Sequence, residues 1–139
     1  MNSTTSKADI HIIGSGIQFI PEDHRFEKWA NFPKERQKLF DLFNKYKTKN
    51  VVLISGDRHI AEISKLKHSD SSKAVYEVTS SGLTHSYESV GDEPNRHRIS
   101  KLIGQKNYGI IQIDWQAKSL KLLIKGEGAK TYAEEKISF

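Results

Sequence analysis

The residues best suited to chemistry are Ser55-Gly56-Asp57-Arg58-His59, which directly follow the unbroken apolar run Val51–Ile54. Such a run reads as a strand buried on both faces. In open α/β sheets, ligands bind beyond the carboxyl ends of parallel strands, so this pentapeptide stands where a site is expected. If the chain stays extended there, Asp57 and His59 point the same way and Arg58 points away. A carboxylate beside an imidazole suits a divalent metal ion, and a guanidinium suits a phosphate. The plainer alternative is a surface turn in which Asp57 accepts backbone hydrogen bonds.

Other residues are weaker candidates. Gln18 lies just past Gly14-Ser-Gly16. If the segment before it is a strand parallel to Val51–Ile54, Gln18 shares a rim with Asp57 and could bond a substrate oxygen. It is otherwise a polar loop residue. Thr79-Ser-Ser-Gly-Leu-Thr-His85 is rich in hydroxyls but lacks the Gly-x-Ser-x-Gly spacing of a nucleophile elbow. His85 and Asn95-Arg-His-Arg98 could approach an anionic substrate, or simply be solvated. Asp9-Ile10-His11 has a metal-ligand spacing, but it precedes its apolar residues and so falls at the wrong end of the strand. Gly91-Asp-Glu-Pro-Asn95 has no strand feeding it and is read as loop.

The elements that must position these residues begin with a strand over Ile10–Ile13. A loop over residues 21–32 carries Phe26 and Trp29. A helix starts at Pro33, with Glu35 at its positive end, and runs to about Lys47. Its apolar stripe is Leu39, Phe43 and Tyr46, with Phe40 and Leu42 flanking, and Lys34, Arg36 and Lys38 on the wet side. With Val51–Ile54 this makes a βαβ unit of parallel strands. Five further strands are predicted at Ile60–Leu66, Ala74–Thr79, Tyr108–Trp115, Ser119–Lys125 and Thr131–Phe139. Polar turns at Asp70–Lys73 and Gln116–Ser119 suggest hairpins. The long Gly82–Lys106 connection is either functional or mobile. The fold class is therefore α/β, with a parallel start and an antiparallel finish. Residues 1–7 are expected to be frayed and 8–139 to form the folded part. So small a parallel unit wants more strands than it has.

At 139 residues the chain suits a single domain. With 36% hydrophobic and 28% charged residues it has the balance of a globular protein. No apolar run approaches the roughly 20 residues of a membrane span, and the polar Met1–Lys7 is no signal peptide. The lack of cysteine excludes disulfides, Cys-ligated zinc and a Cys nucleophile. The formal charge of +5 allows an anionic partner, but the lysines are spread too evenly to argue for nucleic acid.

Four stretches together resemble a known family: Ala8–Gln18, Lys28–Arg36, Leu53–Glu62 and Thr79–His85. They are similar to the C-terminal part of alkaline phosphatase D-like (PhoD-like) proteins, of the calcineurin-like metallophosphoesterase superfamily. The Gly-Asp-Arg-His block at 56–59 is the most specific part. The resemblance implies a four-layer α/β sandwich that hydrolyses phosphate mono- or diesters at metal ions, which could be Ca, Fe, Mn or Zn. It implies that Asp57 and His59 are metal ligands and that Gln18, Arg58 and His85 stand on the substrate side, with Arg96 a further cationic candidate. Trp29 is expected to pack. The family's earlier ligand motifs have no counterpart here, since no Asp-x-His follows a strand and no Gly-Asn-His occurs. The expectation is thus a C-terminal portion of a phosphatase, with no catalytic residue assigned. The alternative is a non-catalytic module that self-associates through an exposed sheet edge. The family is often secreted or periplasmic; this chain leaves its compartment open.

Overall fold

In a computed structural model, residues 7–67 and 74–139 are described. The expected turn at Asp70–Lys73 and nearly all of the expected frayed segment at 1–7 lie outside them.

Two sheets form. The first joins β1 (His11–Gly14), β2 (Val51–Ser55), β3 (Ala61–Leu66) and β4 (Val75–Ser80) in the order β1-β2-β4-β3. β1 and β2 pair in parallel, with His11 opposite Val51, as the βαβ reading requires. β4 is also parallel to β2, and only β3 runs antiparallel, against β4. The second sheet is an antiparallel meander of β5 (Tyr108–Asp114), β6 (Ser119–Lys125) and β7 (Thr131–Ser138).

The first sheet is covered over much of both faces. On one side lies α1 (Pro33–Lys45), which buries Phe40 and Phe43 against Phe19, Ile20, Val51 and Leu53. On the other side, Leu120, Leu122 and Ile124 of β6 pack on Val52, Ile63 and Val78. The chain is therefore a layered α/β structure, helix on sheet on sheet, in agreement with the expected class.

Three local readings change. The helix buries Phe40 and Phe43 and leaves Leu42 and Tyr46 exposed, so its inner face is rotated from the expected stripe. Arg36 is not on the wet side: its guanidinium turns inward to the carbonyls of Phe19 (2.8 Å) and Ile20 (3.0 Å). The 82–106 connection is neither structureless nor loose. It runs back along β3, where Ala61 and Ile103 exchange backbone hydrogen bonds and Ile99 donates to Ile63. Such pairing covers an edge that would otherwise be open. Gly104 allows the fold-back, since a Cβ there would collide with the Tyr87 carbonyl.

Candidate functional site

The carboxyl ends of β1 and β2 meet in one rim. Ser15 donates its N–H to the Ile54 carbonyl at 3.0 Å, and Gly56 donates to Gly16 at 3.2 Å. The loops holding Gln18 and Asp57 are therefore neighbours, as parallel pairing predicted.

The Asp57–His59 segment is not extended. Asp57 and His59 both adopt left-handed backbone conformations, with φ of 67° and 53°, and Arg58 N–H folds back to the Gly56 carbonyl at 2.8 Å. Left-handed conformations fall on two residues with side chains, which is costly and typical of places where the surroundings enforce geometry. The outcome still resembles the alternation expected of a strand: Asp57 and His59 are exposed, and Arg58 between them is buried. His59 N–H is held by the Ser81 hydroxyl at 2.8 Å. Its ring stands near those of His85 (6.4 Å between centroids) and Tyr87 (5.9 Å).

Beneath this exposed pair lies a buried polar network. Gln18 is fully buried. Its amide nitrogen donates to Glu62 (2.7 Å) and Thr79 (2.9 Å), and its oxygen accepts from Arg58 at 3.2 Å. Arg58 also pairs with Glu93 at 2.7 Å and lies over the Phe26 ring at 4.1 Å. Glu62 is further bonded by Arg98 (2.5 Å) and Asn95 (3.0 Å). Glu77 accepts the N–H groups of Phe19 and Ile20 and the Ser55 hydroxyl. Burial pushes the Glu77 carboxyl up to about 7, against the pull of those three donors; the nearby Glu62 adds to the rise.

The sequence candidates thus separate. Asp57, His59 and His85 share the exposed rim. Gln18 and Arg58 stand directly below it, with their polar atoms engaged inside the protein. Arg96 is turned to Asp23, with Nε at 2.9 Å from the carboxylate. Asp9 and His11 sit at the entrance of β1, where His11 meets the Lys49 carbonyl. Trp29 packs, stacked on Phe19 with its indole N–H on Ser15.

Sequence reasoning missed Glu62, Glu77 and Glu93, and the inward roles of Asn95 and Arg98. The signal for the first two was present, as carboxylates set within strands that are otherwise apolar. Glu93 belongs to the stretch read as idle loop, and nothing in its spacing marks it; Asn95 and Arg98 were read as facing an anionic substrate or solvent, not the interior.

The donor set fits a metal in part. One carboxylate and one imidazole face outward, and neither side chain is held by a hydrogen bond or ion pair among the described residues. No group of three or more His, Cys, Asp or Glu side chains able to hold a metal occurs among the described residues. As a donor set, Asp57 and His59 would fill two positions of a coordination shell that needs at least four.

A family model of PhoD-like phosphatases matches residues 3–122. The chain belongs to the PhoD-like phosphatase family. No curated protein shows significant similarity to it. The matched residues include the whole first sheet, α1, the buried network and the Asp57–His59 turn.

Proposed function

We propose that this PhoD-like chain forms the C-terminal part of a metal-dependent phosphoric ester hydrolase, of the calcineurin-like metallophosphoesterase type. The observation that carries this is the placement of Asp57 and His59. Both are exposed, two residues apart beyond the end of the buried strand β2, and neither side chain makes a hydrogen bond or ion pair among the described residues. Both would bind a divalent or trivalent ion such as Mn, Zn, Fe or Ca. The ion would supply Lewis acidity toward a phosphoryl oxygen and a more acidic water. His85, on the same rim, would donate a hydrogen bond to the ester. Gln18 and Arg58 act from below, holding the turn.

The remaining ligands come, in this reading, from a segment that completes the sheets. β5 lies over β4, and β6 and β7 lie over β3, so the ends of β1 and β2 are left uncovered on that face. Ile12 is 48% exposed and Ile54 39% exposed there, beside a groove of about 410 Å³ lined by Gly14, Gly56 and Ile110. β1 is also an edge strand of the first sheet. A segment seated there ends at the Asp57–His59 rim.

The test is turnover of aryl phosphate mono- and diesters with each metal, by the chain alone and by the chain co-expressed with the ligand-bearing half of a PhoD-like phosphatase. The expected result is metal-dependent turnover only in the pair, abolished by Asp57→Ala or by His59→Ala. Turnover by the chain alone overturns the need for a completing segment. Turnover in the pair that survives both substitutions overturns the metal assignment.

The uncovered Ile12 and Ile54 also favour a second reading, a self-associating module without catalysis. It predicts concentration-dependent sedimentation that needs no metal and is lost in Ile54→Lys. A monomer at high concentration rejects it.

A further inference from the structure

The Asp57–His59 turn is enforced from a distance. Its two outward residues are left-handed, a conformation that side chains disfavour, so something must hold it. Gly56 does not: the strain falls on the residues after it. The middle residue is the handle. Arg58 is 7% exposed, and its guanidinium is gripped on three sides. One nitrogen meets the Glu93 carboxylate at 2.7 Å, another meets the Gln18 oxygen at 3.2 Å, and the plane rests on Phe26.

Of these, Glu93 carries the charge. Its other oxygen is buried and has no hydrogen-bond partner among the described residues, so Arg58 is the cation paired with this carboxylate there. Glu93 belongs to the 82–106 segment, and that segment is itself anchored. Tyr87 N–H donates to the His59 carbonyl at 3.0 Å, and Arg98 joins the Glu93 carbonyl (2.9 Å) to the buried Glu62. The turn is therefore tied at its middle side chain and at its last carbonyl by one segment, about 30 residues further along the chain.

We infer that Glu93 is a positioning residue: by holding Arg58 inward it keeps Asp57 and His59 directed outward together. This rests on the metal reading of Asp57 and His59. A guanidinium drawn inward also turns the polypeptide on either side of it outward, which is the arrangement two neighbouring ligands need. Partners that orient metal ligands without touching the metal commonly change metal affinity about 10–100-fold when removed.

The experiment uses the full chain with Glu93→Ala, Glu93→Gln and Arg58→Lys, and Asp57→Asn for comparison. Two readouts are taken. Backbone shifts and HN–Hα couplings of Asp57 and His59 report the left-handed turn. Paramagnetic broadening by millimolar Mn²⁺ reports the ligand pair, and detects even weak two-donor binding. In Glu93→Ala the couplings should leave their left-handed values, and the Mn²⁺ needed for half-broadening should rise about tenfold or more. Glu93→Gln retains an acceptor for Arg58 and should keep both near wild type. Arg58→Lys lacks the fork that spans Gln18 and Glu93 and should resemble Glu93→Ala, which preserves the test if Glu93→Ala fails to fold. Wild-type couplings in both Glu93→Ala and Arg58→Lys overturn the clamp. Broadening absent from wild type, or unchanged in Asp57→Asn, overturns the metal reading instead.

Discussion

The Ser55 hydroxyl donates to the buried Glu77 carboxylate at 2.6 Å, within the first sheet. This bond joins the last residue of β2 to the middle of β4. The same carboxylate takes the N–H groups of Phe19 (2.9 Å) and Ile20 (2.6 Å). Arg36 takes the carbonyls of those two residues from the helix side. The segment after β1 thus has its backbone satisfied by side chains rather than by a strand, as a buried irregular segment must.

Glu77→Ala therefore strands the Phe19 and Ile20 N–H groups in the interior and takes one of two partners from the Ser55 hydroxyl, which also bonds Thr79 at 2.9 Å. Each unsatisfied buried group costs on the order of 1–3 kcal/mol, so a loss of about 3 kcal/mol or more is expected. Urea denaturation measures it. Ser55→Ala removes one donor and should cost about 1 kcal/mol. Equal effects for the two would mean that the Phe19 and Ile20 bonds contribute nothing.

Acidity separates two buried groups. Glu77 titrates at about 7 in the folded chain against an ordinary 4.5, because burial disfavours its charge. The folded state takes up this proton first, so Glu77 adds stability as pH falls from 7 toward 4.5. His24 behaves oppositely. Burial, with Arg58 nearby, lowers it from 6.5 to about 4. Its neutral ring is favoured when folded, so its contribution is full above 6.5 and is lost as pH falls toward 4. The wild-type profile between these limits should be shallow. Glu77→Gln should steepen the loss of stability on acidification, and His24→Gln should turn it into a gain. Denaturation midpoints at pH 5 and pH 7.5 decide both.

The helix gives a sharper packing test. Phe40 and Phe43 face the sheet, while Leu42 is exposed. Phe40→Ala should cost about 3–5 kcal/mol by removing a buried ring, whereas Leu42→Ala should change stability by about 0.5 kcal/mol or less. Comparable losses in a thermal melt would place the helix in the rotation that its spacing first suggested.

That rotation shows how far the sequence could be read. Strand positions were legible because unbroken apolar runs such as Val51–Ile54 have few other uses. The parallel pairing of β1 and β2 followed from the helix between them. The helix face was not legible, since Leu39, Phe40, Leu42, Phe43 and Tyr46 populate most of its circumference, and only the position of Phe19 and Ile20 decides which of them meets the core. The position of Asp57 and His59 beyond the end of β2 was legible. Their orientation was reached by a different route, because an extended chain was assumed and a left-handed turn is present. The network below them was not legible: Glu62 and Glu93 are 31 positions apart and are linked through Arg98 and through the Gln18–Arg58 pair. The parallel join of β4 to β2 was equally hidden, because a hairpin with β3 accounts for the same residues.

Arg96 and Arg98 stand two residues apart and predict opposite results. Arg98 bonds Glu62 at 2.5 Å, and Glu62 is fully buried. Asn95 and Gln18 also donate to Glu62, but neither carries charge. Removing Arg98 leaves a buried carboxylate without its counter-ion, which typically costs about 3–5 kcal/mol. Arg96 pairs with Asp23 where the guanidinium is open to solvent, so water screens the interaction and replaces it when Arg96 is removed. Arg98→Ala should therefore lower the unfolding free energy severely and Arg96→Ala barely. Arg98→Ala with Glu62→Gln should recover part of the loss, because the stranded charge is gone. Urea denaturation of the three variants checks this. If the double variant is no more stable than Arg98→Ala, Arg98 acts through its bond to the Glu93 carbonyl rather than through charge.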